Sequence, residues 1–120
     1  MDSIRQQQIA ELVKQSLGDI FIREGSNYYG SAFVTITHTK VTPDLLLARI
    51  YLSVYNVANK QGVLQQIQVH GGNIRHLLGN KIRNKVRRIP ELEFYLDDTL
   101  DEVYRIESLL NRLREEGELD

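Results

Sequence analysis

The sequence predicts an α+β domain, a three-stranded sheet with helices packed against one face. Three observations lead there. Four stretches of the 120-residue chain repeat apolar residues at helical spacing. Three others are short, and either alternate apolar with polar residues or are rich in β-branched and aromatic side chains. The connector between the first two of these, KVTPD at residues 40–44, is short enough to impose an antiparallel hairpin. A chain of this length suits one domain, 1–120, with 116–120 read as a frayed end.

The first helix runs from residue 3 to about 22. Ser3 and Gln6 have capping-box spacing, and Ile9, Leu12, Val13, Leu17 and Ile20 share a face. REGSNYYGS, residues 23–31, reads as a loop on its Gly, Ser and Asn content. AFVTITHT, 32–39, is the first strand, and Pro43 turns the chain after it. LLARIYLSVY, 46–55, is the second, with Ala48, Ile50, Leu52 and Val54 on its buried side. Residues 59–70 form the second helix, with Val63, Leu64 and Ile67 inward. A further helical pattern starts just after Gly72. Ile74, Leu77, Leu78, Ile82 and Val86 make its apolar stripe, and Asn73, His76, Asn80, Arg83 and Arg87 lie opposite. Arg88 and Pro90 bracket its end. ELEFYL, 91–96, is the third strand. A C-terminal helix follows, opened by a capping box at Thr99 and Glu102 and striped by Leu100, Val103, Ile106, Leu110 and Leu113.

Several chemistries have little to stand on. The chain has no cysteine, which removes disulfides, CxxC redox motifs and thiolate zinc sites. No apolar run approaches the ~20 residues that span a bilayer. MDSIRQQQIAEL lacks a signal peptide's apolar core, so a cytoplasmic location and no membrane contact are expected. His38, His70 and His76 fit no metal-ligand pattern, and there is no Walker or Rossmann glycine motif. Glu91, Glu93, Asp97 and Asp98 read more simply as a solvated strand edge and helix start than as a metal cluster. No enzyme activity and no cofactor are expected.

The net charge of -1 hides a polarity. Arg75, Lys81, Arg83, Lys85, Arg87 and Arg88 fall in one segment without an acid, and acids dominate from Glu91 onward. Ahead of the basic run stand Gly71 and Gly72, inside an otherwise helical rhythm. The pair is expected to end one helix in a left-handed conformation. It would also let a phosphate backbone approach the free N–H groups of the next helix. The candidate RNA-binding residues are therefore His70, Gly71, Gly72, Asn73, Arg75, His76, Arg83, Lys85, Arg87 and Arg88. Tyr28 and Tyr29, in the expected loop, are the best-placed rings for base stacking, although covering a seam is the commoner use of tyrosine.

The order helix-strand-strand-helix-helix-strand resembles a type II KH domain, in which a GxxG loop joins the paired helices. The junction here is His70-Gly71-Gly72-Asn73. The resemblance sharpens to one family, ribosome-binding factor A, a bacterial small-subunit assembly factor. Its Ile-Arg-x-x-Leu-Gly helix is similar to Ile74, Arg75, Leu78 and Gly79. Its Arg-x-x-Pro-Glu-Leu-x-Phe block matches Arg87, Pro90, Glu91, Leu92 and Phe94. Asp97, Thr99 and Leu100, then Arg105, Ile106, Leu109 and Leu110, match the segments that follow. Upstream, Thr42, Asp44 and Leu45, then Ala48, Ile50, Tyr51 and Leu52, hold matching places. The family's interhelical kink is Ala-x-Gly; here His70 stands in the Ala place and Gly72 in the Gly place. Many members also carry a longer charged tail.

The resemblance implies a monomeric type II KH-like fold that binds 16S rRNA on the immature 30S (pre-30S) subunit. It implies support of late maturation, of 16S rRNA 5′-end processing by other enzymes, and of growth in the cold. Assembly GTPases stand among the partners it allows. The other reading is a protein-interaction module that docks a basic partner through the acidic C-terminal helix.

Overall fold

Helices and strands follow one another in the expected order in the computed structural model, which describes residues 2–97. They are α1 (Ile4–Tyr29), β1 (Phe33–Val41), β2 (Leu47–Tyr55), α2 (Lys60–Val69), α3 (Gly71–Ile82) and β3 (Glu91–Leu96). The expected C-terminal helix, its capping box and the 116–120 tail lie outside the described residues.

The sheet order is β1-β2-β3. β1 pairs antiparallel with β2, as the short connector requires, and β3 pairs parallel with β2. β2 is thus central, and its inward side chains Ala48, Ile50 and Leu52 are fully buried. Val13 and Leu17 of α1, Ile67 of α2, and Ile74 and Leu78 of α3 close the core over it. The capping box of α1 forms both ways: Gln6 N–H donates to Ser3 Oγ at 3.1 Å, and Ser3 N–H to Gln6 Oε1 at 2.8 Å. The same Gln6 amide donates to the Val41 carbonyl at 2.9 Å, tying the start of α1 to the end of β1. A register slip between Ile36 and His38 sets Thr37 apart as a bulge, and its hydroxyl donates to Asp97 Oδ2 at 2.7 Å.

Two boundaries differ from the sequence reading. Residues 23–29 are not a loop; α1 continues to Tyr29 and stops at Gly30, whose φ is 71°. Weak helix formers are overridden there by side-chain packing. The Tyr29 ring lies across Gly25 and meets Phe21 edge-on, with centroids 5.9 Å apart at 85°. Tyr28 and Tyr29 are therefore helical and half-buried, which withdraws them as loop stackers.

The second difference is at the end of α3. The helix stops at Ile82 rather than near Arg88. The Lys85 and Val86 N–H groups both donate to the Ile82 carbonyl, at 2.8 and 3.2 Å, so the chain tightens into a turn. Val86 still reaches the core, but from that turn. A helix running to 88 would leave two residues to reach β3, where the Glu91 N–H donates to the Leu46 carbonyl at 2.8 Å.

The Gly25 site gives a test of sign. A Cβ there would collide with the Tyr29 ring. Gly25→Ala is expected to destabilise the protein by about 1 kcal/mol, despite alanine's higher helix propensity. In a Tyr29→Ala background the same change is expected to stabilise by about 1 kcal/mol. Thermal unfolding of the four proteins reads both values, and a stabilising Gly25→Ala in the native background contradicts the packing account.

Candidate nucleic-acid interface

The α2–α3 joint is one residue wide. α2 opens at Asn59, whose side chain accepts from the Gly62 N–H at 3.0 Å, and runs to Val69. His70 alone leaves helical geometry, at φ -89° and ψ 11°. Its N–H donates to the Gln66 carbonyl at 3.1 Å, and its carbonyl accepts from Ile74 N–H at 3.0 Å. Hydrogen bonding thus reaches across the bend from both sides.

Gly71 and Gly72 are the first residues of α3, and neither has positive φ. The expected left-handed helix end is therefore absent, because His70 makes the bend itself. A Cβ added at either glycine would meet no atom within 4 Å. The fold needs neither the conformational freedom nor the missing side chain. α3 also opens without a side-chain cap and without an acid in its first turn. The N–H groups of that turn have no carbonyl of their own helix behind them.

A cleft of about 790 Å³ runs along this face of α3. Gly71, Gly72, Arg75, His76 and Arg83 all line it, so the fold brings five of the sequence candidates together. Gln68, Gly79, Asn80, Ile89, Glu91 and Leu92 complete its walls, and sequence reasoning did not place them in the site. For Asn80 the signal was present, since it shares the helical row of His76 and Arg83. Gln68 gave none, because its place depends on β3: its side-chain amide donates to the Phe94 carbonyl at 3.3 Å. A smaller cleft of about 330 Å³ shares Gln68, Gly71 and Leu92 and extends the groove to Tyr95. There the Tyr95 hydroxyl donates to Glu93 at 2.7 Å, which holds the phenol above its ordinary pKa.

The basic residues divide by what already holds them. Arg75 is engaged within the chain. Its Nε donates to the Pro90 carbonyl at 3.0 Å, its Nη2 to the Ile89 carbonyl at 2.7 Å, and Glu91 stands 3.7 Å away. It fastens α3 to the start of β3, a job only a planar fork can do. Lys81 pairs with Asp19 of α1 at 3.9 Å. Arg83, Lys85, Arg87 and Arg88 are exposed on the cap and the segment after α3, and of the four only Arg83 lines the cleft, at the far end from the glycines. Asn73 is exposed on the first turn, while His70 packs its ring on Tyr28. Among the described residues no group of three His, Cys, Asp or Glu could hold a metal ion. Glu91 and Glu93 are taken by Arg75 and Arg49 instead. No helix among them is long and apolar enough to cross a membrane.

Comparison with known proteins adds identity to this geometry. The profile of the family described as Ribosome-binding factor A matches residues 5–110. A Ribosome-binding factor A from Cytophaga hutchinsonii is 40% identical over 113 residues, covering 94% of this chain and 85% of the relative. One from Chlorobium phaeobacteroides is 42% identical over 117 residues, covering 97% and 99%. The crystal structure of ribosome-binding factor A from Thermus thermophilus superposes with a TM-score of 0.63 at 15% identity, over 76% of this chain and 94% of that one. Coordinates of the Thermus thermophilus factor fitted into a cryo-electron microscopy map of a 30S complex give 0.61 at 17%, over 75% and 92%. These likenesses carry the type II KH-like arrangement expected from the order of elements.

The division of the arginines is testable by unfolding alone. Arg75→Lys cannot bridge two carbonyls and is expected to lose about 1 to 2 kcal/mol of stability in urea titrations. Arg83→Lys is expected to stay within about 0.5 kcal/mol of the native protein. Equal, small effects at the two positions would show that the Arg75 fork does not fasten β3.

Proposed function

We propose that this chain, which belongs to the ribosome-binding factor A family, binds the immature small ribosomal subunit by laying 16S rRNA along the α3 face of the groove. The glycine pair carries the reading. Two helical glycines with open space beside them cost the fold helix propensity and serve no internal purpose. They leave the first turn of α3 bare, where a phosphate backbone can lie against N–H groups. The turn carrying Arg83, Lys85, Arg87 and Arg88 supplies a second anchor at the other end of α3. The Thermus thermophilus factor fitted into a 30S map supports the small subunit as the partner.

Binding of this kind is steric and conformational, without a reaction and without a cofactor. A folded wedge holds rRNA out of its final arrangement until late assembly factors, GTPases among them, release it. On this reading the chain is a cytoplasmic monomer. It supports late 30S maturation and 16S rRNA 5′-end processing by other enzymes, and it matters most in the cold, where misfolded rRNA escapes slowly.

Stability and binding should part company at the glycines. Gly71→Ala and Gly72→Ala are each expected to raise stability by about 0.5 kcal/mol while weakening association with purified 30S subunits. Unchanged affinity would remove the close-approach argument. For the cations, four phosphate contacts correspond to a slope of log K against log salt of roughly -3 to -3.5. Reversing Arg83 and Arg87 to Glu together is expected to flatten that slope by about 1.5 to 2. A salt-insensitive association, untouched by the double reversal, would instead favour protein-protein docking.

A further inference from the structure

The two tyrosines that close α1 point to different partners. Tyr29 folds back on its own helix, over Gly25 and against Phe21. Tyr28 reaches away, and its ring meets the His70 imidazole with centroids 5.0 Å apart, tilted 39°. His70 is the single non-helical residue between α2 and α3, and its side chain makes no capping hydrogen bond to α3. The direction of α3 away from α2 therefore rests on the torsions of a residue whose ring is held by a third helix. Tyr29 and Gly25 add to this, because they keep the last turn of α1 wound and so fix where Tyr28 stands.

We propose that Tyr28 and His70 form a brace between the end of α1 and the interhelical joint, holding α3 at the angle that presents Gly71 and Gly72 to RNA. Both are positioning residues: neither touches the ligand, and each acts through the other. The proposal deepens the RNA reading and rests on it for its effect on binding, but its effect on the joint stands alone. It also accounts for the length of α1. The helix runs well past its last buried aliphatic, Ile20, because its final turn has a task at the joint. Both rings are half-buried, whereas Phe33, Tyr55 and Tyr95 on the sheet are exposed, which fits a structural contact rather than a stacking platform for bases.

The test uses the full chain with Tyr28→Phe, Tyr28→Ala, His70→Ala and the double alanine variant, each assayed with purified 30S subunits at a temperature where all are folded. Tyr28→Phe keeps the ring and is expected to bind within about twofold of the native protein. Each alanine variant is expected to bind about three- to tenfold more weakly, the worth of one aromatic pair, with an unchanged salt slope. The double variant is expected to be no weaker than the weaker single, because the pair is one device. Amide exchange in the free protein at His70 and Ile74, whose N–H groups are the ones hydrogen-bonded at the joint, is expected to speed up in Tyr28→Ala. Losses that multiply in the double variant would overturn the brace. So would a loss confined to His70→Ala with a slope reduced by about 0.7 to 0.9, which marks a lost phosphate contact. Unaltered exchange at the joint in Tyr28→Ala would overturn it too. If the native chain does not bind 30S subunits, the RNA reading fails by itself, and the exchange measurement still decides the brace.

Discussion

Ile67 and Ile74 stand on two different helices, and both are fully buried against the sheet. The candidate binding region follows from that requirement. A straight helix from Lys60 to Ile82 would be about 34 Å long at 1.5 Å per residue. The six-residue β3 beneath it spans only about 20 Å. One end of such a helix would overhang the core and expose its apolar stripe. Bending at His70 keeps Ile67, Ile74, Leu78 and Ile82 all within the one buried cluster that covers the sheet. The bend has a second effect. It exposes the start of α3 beside the outer edge of β3, and so makes a groove from surfaces that a continuous helix would have kept apart.

Charge in this region is sorted by neighbours rather than by residue type. Arg75 and Arg83 are eight residues apart on the same side of α3, and both line the cleft. Yet Arg75 lies within reach of two carbonyls left free where the chain straightens into β3, and its guanidinium is spent there. Arg83 sits where the helix has just ended, past Ile82, the last residue of α3 that the core holds. By stopping at Ile82, α3 also moves Lys85, Arg87 and Arg88 into a turn. They follow the contour of that turn instead of radiating around a cylinder. A polyanion meeting α3 thus finds bare N–H groups at one end and exposed cations at the other, with His76 and Asn80 between them.

Much of this was legible in the sequence, and what was missed has a common cause. The alternation of β2, the apolar stripe of α3 as far as Ile82, and the Ser3–Gln6 capping box all express local periodicity or local hydrogen bonding. The structure bears each of them out. Residues 23–29 failed as a loop because Gly, Ser and Asn argue only about local preference. The helix there is held by the Tyr29 ring on Phe21 and Gly25. Val86 continued the apolar stripe on paper and is buried in fact, but the chain reaches its place by a turn. The glycine pair was read as a break, and it is helical, with His70 as the break. Gln68 belongs to the groove only because β3, 26 residues later, folds beside it. The KH-like arrangement and the α3 end of the site were open to reading. The β3 wall and the α1 support, built from distant segments, were not.

The unlike walls of the groove bear on how a strand would lie in it. The β3 side carries Glu91 and Glu93 beside the apolar Ile89 and Leu92. A phosphate chain pressed against that side would meet like charge, while the α3 side offers helix-start N–H groups and Arg83. Backbone toward α3 and bases toward β3 is the orientation with the lower electrostatic cost. In that orientation the carboxylates become acceptors for base amino groups, and the apolar side chains meet base faces. Double-stranded RNA could not divide its backbone and bases between opposite walls in this way. The acids that seem misplaced in an RNA groove are therefore what would restrict it to a single strand.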